Sequence, residues 1–186
     1  YEAMGSYENP NAVRISKGTP KSVLDDVFVA HWNDLDQVDS IVKQHKHELA
    51  AILTEPMMTY AHIIRPKDGF LKGLKQIAHD NDFLLIFDEV VSGFRLGLTV
   101  GQGLFGVTPD ITIFGIALGG GLPVSAFGAR KEIMDVIGKS GSIQLGTFNT
   151  NPLSMAAANA FIDEVSKNNG EIYPYMDKLG ERLQNG

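Results

Sequence analysis

The sequence predicts an α/β domain in which a mostly parallel β-sheet lies between layers of helices. The first observation is the unbroken apolar run Phe83–Phe87, which is typical of a strand buried on both faces of a parallel sheet. The second is the alternation of short apolar segments with amphipathic segments of helical period, which indicates βαβ units. The third is size, because 186 residues that are 44% hydrophobic suffice for the core of one such domain.

The predicted elements alternate along most of the chain. Asn33 and Asp34 can cap the first helix, whose apolar stripe includes Leu35 and Val38. The remaining segments are assigned from the same periodicities. The predicted strands cover residues 27–30, 50–54, 83–88, 111–114 and 124–127, and the predicted helices cover residues 34–48, 67–80, 130–137, 151–167 and 171–184.

The composition argues against several classes of protein and site. A net charge of −6 without a basic stripe argues against a nucleic-acid partner. The chain has no cysteine and its histidines are scattered away from ligand spacing, so no metal site is predicted. No apolar run reaches the length of a membrane span and no signal peptide is recognisable, so we expect a cytoplasmic protein without a membrane partner. Because residue 1 is Tyr, we also expect a piece of a longer chain.

Two carboxylates end the central predicted strand. Asp88 and Glu89 directly follow the apolar run, and ligands of open α/β sheets bind at the carboxyl ends of their strands. A carboxylate at such a place needs a cation or a hydrogen-bond donor. Spacing alone leaves two interpretations open: a ligand-binding acid, or an acid that caps the following helix.

The segment Gly101–Gly106 matches the GxGxxG pattern of dinucleotide-binding proteins, but its context does not fit. That pattern must follow a strand and open a helix. Here it leads through Val107-Thr-Pro-Asp110 into a predicted strand. A dinucleotide site therefore stays only as a remote alternative.

Three stretches together resemble the class III (fold-type I) pyridoxal-phosphate aminotransferases, most of all the glutamate-1-semialdehyde 2,1-aminomutases. The similarity covers nearly the whole chain from about residue 18. The stretches are Leu85-Ile-Phe-Asp-Glu-Val-Val-Ser-Gly-Phe-Arg95, Gly106 through Arg130, and Gly146-Thr-Phe-Asn-Thr-Asn-Pro152 with the small-residue helix that follows. The resemblance implies pyridoxal 5′-phosphate as cofactor and amino-group transfer on an amino acid or amino-aldehyde. It also implies a homodimer.

The resemblance assigns roles to several residues. Asp88 matches the aspartate that pairs with the pyridine nitrogen of the cofactor, and an anion there keeps that nitrogen protonated. Val90 matches the residue that packs on the ring face, although a Val here could belong only to the core. Thr147 matches the hydroxyl that reaches the cofactor phosphate of the neighbouring subunit, with a locally bonded loop hydroxyl as the alternative.

Further positions match the family near its active site. Glu55, before Pro56, matches an acid near that site, with a structural acid at the end of a strand as the alternative. Arg95 is expected to be a structural ion-pair residue. The glycines 119–121 are expected to form a tight turn beside the cofactor.

One departure from the family pattern bears directly on catalysis. The family's Schiff-base lysine follows the residue that matches Gly115, and here that position is Ile116. The flanking residues align without a gap, so this is a substitution. A hydrocarbon side chain can neither bond the cofactor aldehyde nor carry a proton, so lysine-dependent chemistry should fall by several orders of magnitude. An inactivated variant, a natural homologue that lost catalysis and an error in the sequence all stay open as explanations.

The stretch after Glu55 departs as well. Met57-Met-Thr-Tyr-Ala61 replaces the Gln-Gly-Glu-type stretch of members that act on ω-amino acids, so a 4-aminobutyrate or ornithine role is disfavoured.

Residues 1–186 are expected to form a single domain, the central and distal part of the cofactor-binding large domain, without its N-terminal segment and C-terminal small domain. The predicted function is that of an aminotransferase or aminomutase impaired by Ile116. The alternative is a catalytically dead homologue or fragment that acts only by binding or dimerisation.

Overall fold

A computed structural model describes residues 5–14 and 16–186 and contains a four-stranded sheet flanked by helices. The strands are β1 (Ala51–Thr54), β2 (Leu84–Glu89), β3 (Ile111–Phe114) and β4 (Ala126–Ala129). The α-helices are α1 (Ser22–Asp25), α2 (Leu35–His45), α3 (Phe70–Asp80), α4 (Val100–Phe105), α5 (Lys131–Met134), α6 (Val136–Lys139), α7 (Pro152–Ser166) and α8 (Ile172–Asn185), with a 3₁₀ turn over Lys167–Asn169.

The sheet has the order β1-β2-β3-β4 and is mostly parallel. β1 pairs with β2 and β2 pairs with β3 in parallel, whereas β4 returns antiparallel to β3. The three parallel strands are joined through helices, as parallel crossovers require. The predicted fold class is therefore confirmed.

The main core lies between the sheet and helices α2 and α3. Leu85 and Phe87 are fully buried on the face of β2 that these helices cover. Leu74 of α3 and Val42 of α2 pack into the same cluster, so the stripes read from the sequence do face the core. Asp34 caps α2, because its Oδ1 accepts from Gln37 N at 2.9 Å.

Helices α7 and α8 form a second packed region beside the turn that follows β2. Asn151 begins α7 by accepting from two backbone N–H groups, and Pro152 follows it at a position that favours a helix start. Phe161 of α7 contacts Phe94 edge to face, and the Tyr173 hydroxyl of α8 donates to the Phe94 carbonyl at 3.0 Å. None of the helices in the described ranges is long and apolar enough to cross a bilayer.

The predicted strand over residues 27–30 is wrong. These residues form no regular element, and Val27, Phe28 and Val29 stay partly exposed. Val27 N instead donates to Leu24 O, which closes the turn after α1. Apolar content alone predicted a strand here, but a strand also needs a hydrogen-bonding neighbour.

Several other elements differ from the prediction. Helix α2 ends three residues before its predicted bound, α3 begins three residues after its own, and α1 was not predicted. The fourth strand lies two residues later than predicted, at β4. The predicted helix over residues 130–137 is broken into α5 and α6, and Gly138 inside α6 has a left-handed φ of 79°. Helix α4 was not predicted, because two glycines in six residues lower its intrinsic propensity.

Candidate functional site

The candidate site lies at the carboxyl edge of the three parallel strands. Glu55 follows β1, Asp88 is the second-last residue of β2, and Gly115 and Ile116 follow β3. Parallel strands present their carboxyl ends at one edge, so the fold brings together residues that are far apart in sequence. The register supports this arrangement, because Asp88 pairs with Ile113 across β2 and β3.

Asp88 is half-buried and points to the face of β2 that also carries Ile86. Its Oδ1 accepts from Val90 N at 2.9 Å, which fixes the orientation of the carboxylate. Within the described residues, Oδ2 makes no hydrogen bond, so one oxygen stays available to a donor on a ligand. Asp88 is thus a half-buried acid with one available oxygen.

Glu89 has the capping role, the second of the two interpretations that the sequence left open for the acids at the end of β2. Its side chain is fully buried on the opposite face of β2. It accepts from Gly101 N at 2.6 Å, Gln102 N at 3.3 Å and Ser92 Oγ at 3.2 Å, and so it caps α4. Burial raises the pKa of Glu89, although these three donors oppose the shift. A Cβ at Gly101 would lie 2.9 Å from Glu89 Oε2, so only glycine admits this close contact.

Val90 links the end of β2 to the end of β3. A Cβ added at Gly115 would lie 2.9 Å from Val90 Cγ1, so the two residues are in direct contact and Gly115 must lack a side chain. The tight turn expected at residues 119–121 is present, with a left-handed φ at Gly120 and Gly121. A Cβ at Gly119 would lie 1.9 Å from the Leu122 carbonyl oxygen.

Ile116 begins this turn, and its side chain is 55% exposed at the site edge. The backbone around the position is closed by a hydrogen bond from Leu118 N to Gly115 O at 2.8 Å. The nearest lysine along the chain, Lys131, forms an ion pair with Asp135 at 2.5 Å and so is held on helix α5.

Glu55 is half-buried and directly follows β1. The last pair in the register is Thr54 with Phe87, so Glu55 and Asp88 each follow one member of that pair. Thr59 donates to Glu55 Oε2 from both its backbone N and its hydroxyl. The other carboxylate oxygen, Oε1, forms no hydrogen bond in the ranges that the structure covers.

The other two expected residues lie apart from this arrangement. Thr147 is exposed in the turn before α7, and no hydrogen bond of the described residues connects it to the carboxyl edge. Arg95 does not form the expected ion pair within the described ranges. It donates from Nε to the Val91 carbonyl at 2.9 Å and so stabilises the turn after β2.

One cluster of charges was missed in the sequence. Asp110 is 6% exposed, and it accepts from Leu85 N, His79 Nε2 and an Arg130 guanidinium nitrogen at 2.9–3.2 Å. Burial alone would raise the pKa of Asp110, but the hydrogen bonds from Leu85 and His79 and the charge of Arg130 together lower it. His79 and Asp110 are far apart in sequence, so no local spacing could reveal the pair. The cluster ties the start of β3 to α3, β2 and the end of β4.

Comparison with known sequences gives the family. The sequence model of the class-III aminotransferases matches residues 16–186. The chain belongs to this family. Because the match covers the three stretches that carried the resemblance, the assignment made from the motifs is confirmed.

The family's curated members include close relatives of this chain. The glutamate-1-semialdehyde 2,1-aminomutase of Alkaliphilus oremlandii is 43% identical over 183 residues, which are 98% of this chain and 43% of that protein. The glutamate-1-semialdehyde 2,1-aminomutase of Ignicoccus hospitalis is 43% identical over 169 residues, which are 90% of this chain and 40% of that protein. The chain thus spans about two fifths of the length of these relatives.

Solved family structures share the fold. An omega-transaminase from Sphaerobacter thermophilus superposes with a TM-score of 0.80 at 37% identity, covering 85% of this chain and 37% of that one. A transaminase solved with pyridoxal phosphate bound has a TM-score of 0.78 at 25% identity, covering 89% of this chain and 40% of that one. The family is pyridoxal-phosphate-dependent, as predicted.

The residues at the carboxyl edge fit this cofactor only in part. The available oxygen of Asp88 suits a protonated ring nitrogen, and Val90 with Gly115 offers an apolar contact. Ile116 does not fit, because a covalent bond to the cofactor aldehyde needs an amine.

Proposed function

We propose that this chain is the central and distal part of the cofactor-binding large domain of an aminotransferase or aminomutase whose covalent chemistry is blocked at Ile116. In this proposal Asp88 binds the ring nitrogen of pyridoxal 5′-phosphate and Val90 packs on the ring. Glu55 lies beside the reacting groups, and Thr147 binds the phosphate in a neighbouring subunit. The parent reaction would transfer an amino group on an amino acid or amino-aldehyde.

One observation carries the proposal: Ile116 follows β3 at the carboxyl edge of the sheet, beside the contact between Gly115 and Val90. The flanking Gly115 contacts Val90, and the turn over residues 116–121 is closed by backbone hydrogen bonds. The backbone therefore presents position 116 at the same edge as Asp88, with a hydrocarbon side chain there instead of an amine. Amino-group transfer needs that amine to bond the cofactor and to move the substrate proton.

The substrate class is supported by the relatives and by the loop after β1. Glutamate-1-semialdehyde is the substrate named for the curated relatives, and it is an amino-aldehyde. Tyr60 is 84% exposed in this loop, and Met58 and Ile64 bridge its base. This loop follows Glu55 at the site edge and contains no carboxylate of the kind expected for ω-amino-acid substrates.

A second candidate is a non-catalytic homologue that acts by binding and dimerisation. Ile116 favours it directly. Four apolar side chains around Thr147 are also strongly exposed, which supports a dimer in which a second copy of the chain buries them. They are Ile143, Leu145, Phe148 and Leu153.

The test uses the purified protein, its Ile116→Lys variant and its Asp88→Asn variant. Pyridoxal phosphate is added, the imine absorbance is recorded, and borohydride reduction is followed by peptide mapping. We expect reversible binding without an adduct in the wild type, weaker binding in Asp88→Asn, and a reducible adduct at residue 116 in Ile116→Lys.

Transfer of an amino group from an amino acid is then measured in Ile116→Lys. Turnover in Ile116→Lys and none in the wild type supports a parent protein that is an aminotransferase or aminomutase. Binding without turnover in both the wild type and Ile116→Lys favours the non-catalytic candidate. An adduct in Ile116→Lys that maps to another lysine refutes the assignment of position 116.

A further inference from the structure

We propose that Tyr173 of helix α8 is a positioning residue, which holds the carboxyl edge of the sheet in shape through Phe94. Helix α8 in this way determines how closely the turn after β2 meets the turn after β3, where the proposed function places the cofactor ring. The inference rests on that proposed function for its ligand. It adds an element outside the sheet on which the geometry of the site depends.

The inference starts from the backbone of Phe94. Its φ is 59°, in the left-handed region that bulky residues rarely adopt. Such a conformation persists only where surrounding contacts hold it, and it is often found at functional sites. Phe94 lies in the turn that follows β2, the strand that carries Asp88. The contacts that hold Phe94 therefore also hold the end of this strand.

Contacts from two helices and from β3 hold Phe94. The Tyr173 hydroxyl of α8 donates to the Phe94 carbonyl at 3.0 Å. The Phe94 ring packs edge to face on Phe161 of α7, with 5.8 Å between ring centroids, and it packs on the Phe114 ring at 5.4 Å. Burial raises the pKa of Tyr173, so its hydroxyl keeps its proton and stays a donor at neutral pH.

The contacts continue from this turn to the site edge. Phe114 is the last residue of β3 and precedes Gly115. A Cβ at Gly93 would lie 2.8 Å from Phe114 Cδ1, so the turn after β2 rests directly on this ring. Gly115 in its turn contacts Val90, because a Cβ there would lie 2.9 Å from Val90 Cγ1. The turn and the ends of β2 and β3 therefore form a closed ring of contacts.

Removal of the Tyr173 hydroxyl leaves the Phe94 carbonyl without this donor. The left-handed backbone of Phe94 loses one of the contacts that hold it, and the turn relaxes away from Phe114. The packing of Val90 against Gly115 loosens in consequence, because it belongs to the same ring of contacts. The protein stays folded, but a smaller fraction of molecules has the binding arrangement, and the affinity for a ligand falls by that fraction.

The experiment compares Tyr173→Phe with Tyr175→Phe in the purified protein. Tyr175→Phe is the matched control, because it removes the same hydroxyl from an exposed position of the same helix. The ligand is pyridoxine 5′-phosphate, which has the ring and the phosphate but forms no imine with surface lysines. Calorimetry measures its dissociation constant. Tyr173→Phe should raise this constant about fivefold, the effect of one neutral hydrogen bond, and the control should leave it within about twofold of the wild type.

Hydrogen exchange of the ligand-free protein gives a second readout, which does not depend on the cofactor. The Leu118 N–H donates to the Gly115 carbonyl at 2.8 Å and reports opening of the turn after β3. The Leu85 N–H donates to the buried Asp110 and reports opening of the core. Tyr173→Phe should speed exchange at Leu118 about fivefold relative to Leu85. A contribution to overall stability alone would speed exchange at both amides alike.

A second variant tests the ring contact separately from the hydroxyl. Phe161→Leu removes the edge-to-face partner of Phe94 and should change both readouts in the same direction as Tyr173→Phe. It also keeps the inference testable if Tyr173→Phe does not fold.

The outcomes distinguish this inference from the function on which it rests. Exchange at Leu118 that is unchanged in both variants, or that rises only as much as at Leu85, would overturn the inference and leave the cofactor site in place. A dissociation constant unchanged by both variants would overturn it as well. If the wild type does not bind pyridoxine 5′-phosphate, the proposed function fails and the role of Tyr173 in ligand binding with it, whereas the exchange data still show whether α8 holds the turn.

Discussion

Replacing Glu89 should destabilise the protein by an amount set by the groups that its side chain satisfies. The carboxylate is fully buried, and it accepts from two backbone N–H groups at the start of α4 and from the Ser92 hydroxyl. Glu89→Ala leaves the two N–H groups without an acceptor, at about 1–3 kcal/mol each. We expect a loss of about 3–5 kcal/mol in the free energy of unfolding.

The effect of Glu89→Gln should depend on pH. Burial raises the pKa of Glu89 in the folded protein, so its neutral form is favoured there. This group therefore contributes stability that is fully present below the unfolded pKa, near 4.5, and is lost as pH rises through the raised folded pKa. Gln cannot ionise, so its stability relative to wild type should improve from pH 4 to pH 8.

Urea unfolding at several pH values measures both effects, provided that the m-value stays constant. Glu164→Ala is the control, because that carboxylate is exposed, and its loss should change stability by less than about 0.5 kcal/mol. A Glu89→Ala loss no greater than that of the control would contradict the capping role. A Glu89→Gln variant whose pH dependence matches the wild type would show that this carboxyl does not titrate in the range.

Three further predictions concern other parts of the molecule. Asp110→Asn should lower the free energy of unfolding by about 1–3 kcal/mol at neutral pH. The pKa of Asp110 is lowered in the folded state, so its contribution to stability is lost as pH falls below the unfolded value near 3.8. Acid unfolding of the variant should therefore show a smaller pH dependence than that of the wild type. Gly119→Ala should lower the thermal midpoint, because its Cβ would collide with a backbone carbonyl, whereas Gly128→Ala meets nothing within 4 Å and should leave it unchanged. If a second copy of the chain buries the exposed segment around Thr147, Leu145→Glu should reduce the molar mass in light scattering to that of a monomer. An unaltered mass would refute this interface. Leu183→Glu is the control, because Leu183 is equally exposed on α8.

Local sequence patterns predicted most of the regular elements. The central strand, helices α2, α3, α7 and α8, and the cap at Asp34 are where the apolar periods and capping residues indicate. The failures share a physical cause. Residues 27–30 have the apolar content of a strand without a strand to pair with, and α4 is held by Glu89 although its glycines disfavour a helix.

The family was readable from the amino-acid order alone, since the motifs and their uninterrupted spacing carried a resemblance that the sequence match confirms. The assignment of Ile116 to the position of the family's lysine stays a prediction. The sequence did not show which of Asp88 and Glu89 is buried as a cap and which faces the carboxyl edge. Neighbouring residues of a strand point to opposite faces, and only the helices packed against the sheet determine which acid is buried. The charge cluster at Asp110 likewise depends on strands and helices meeting in space, because its partners are separated along the chain by distances that no local pattern spans.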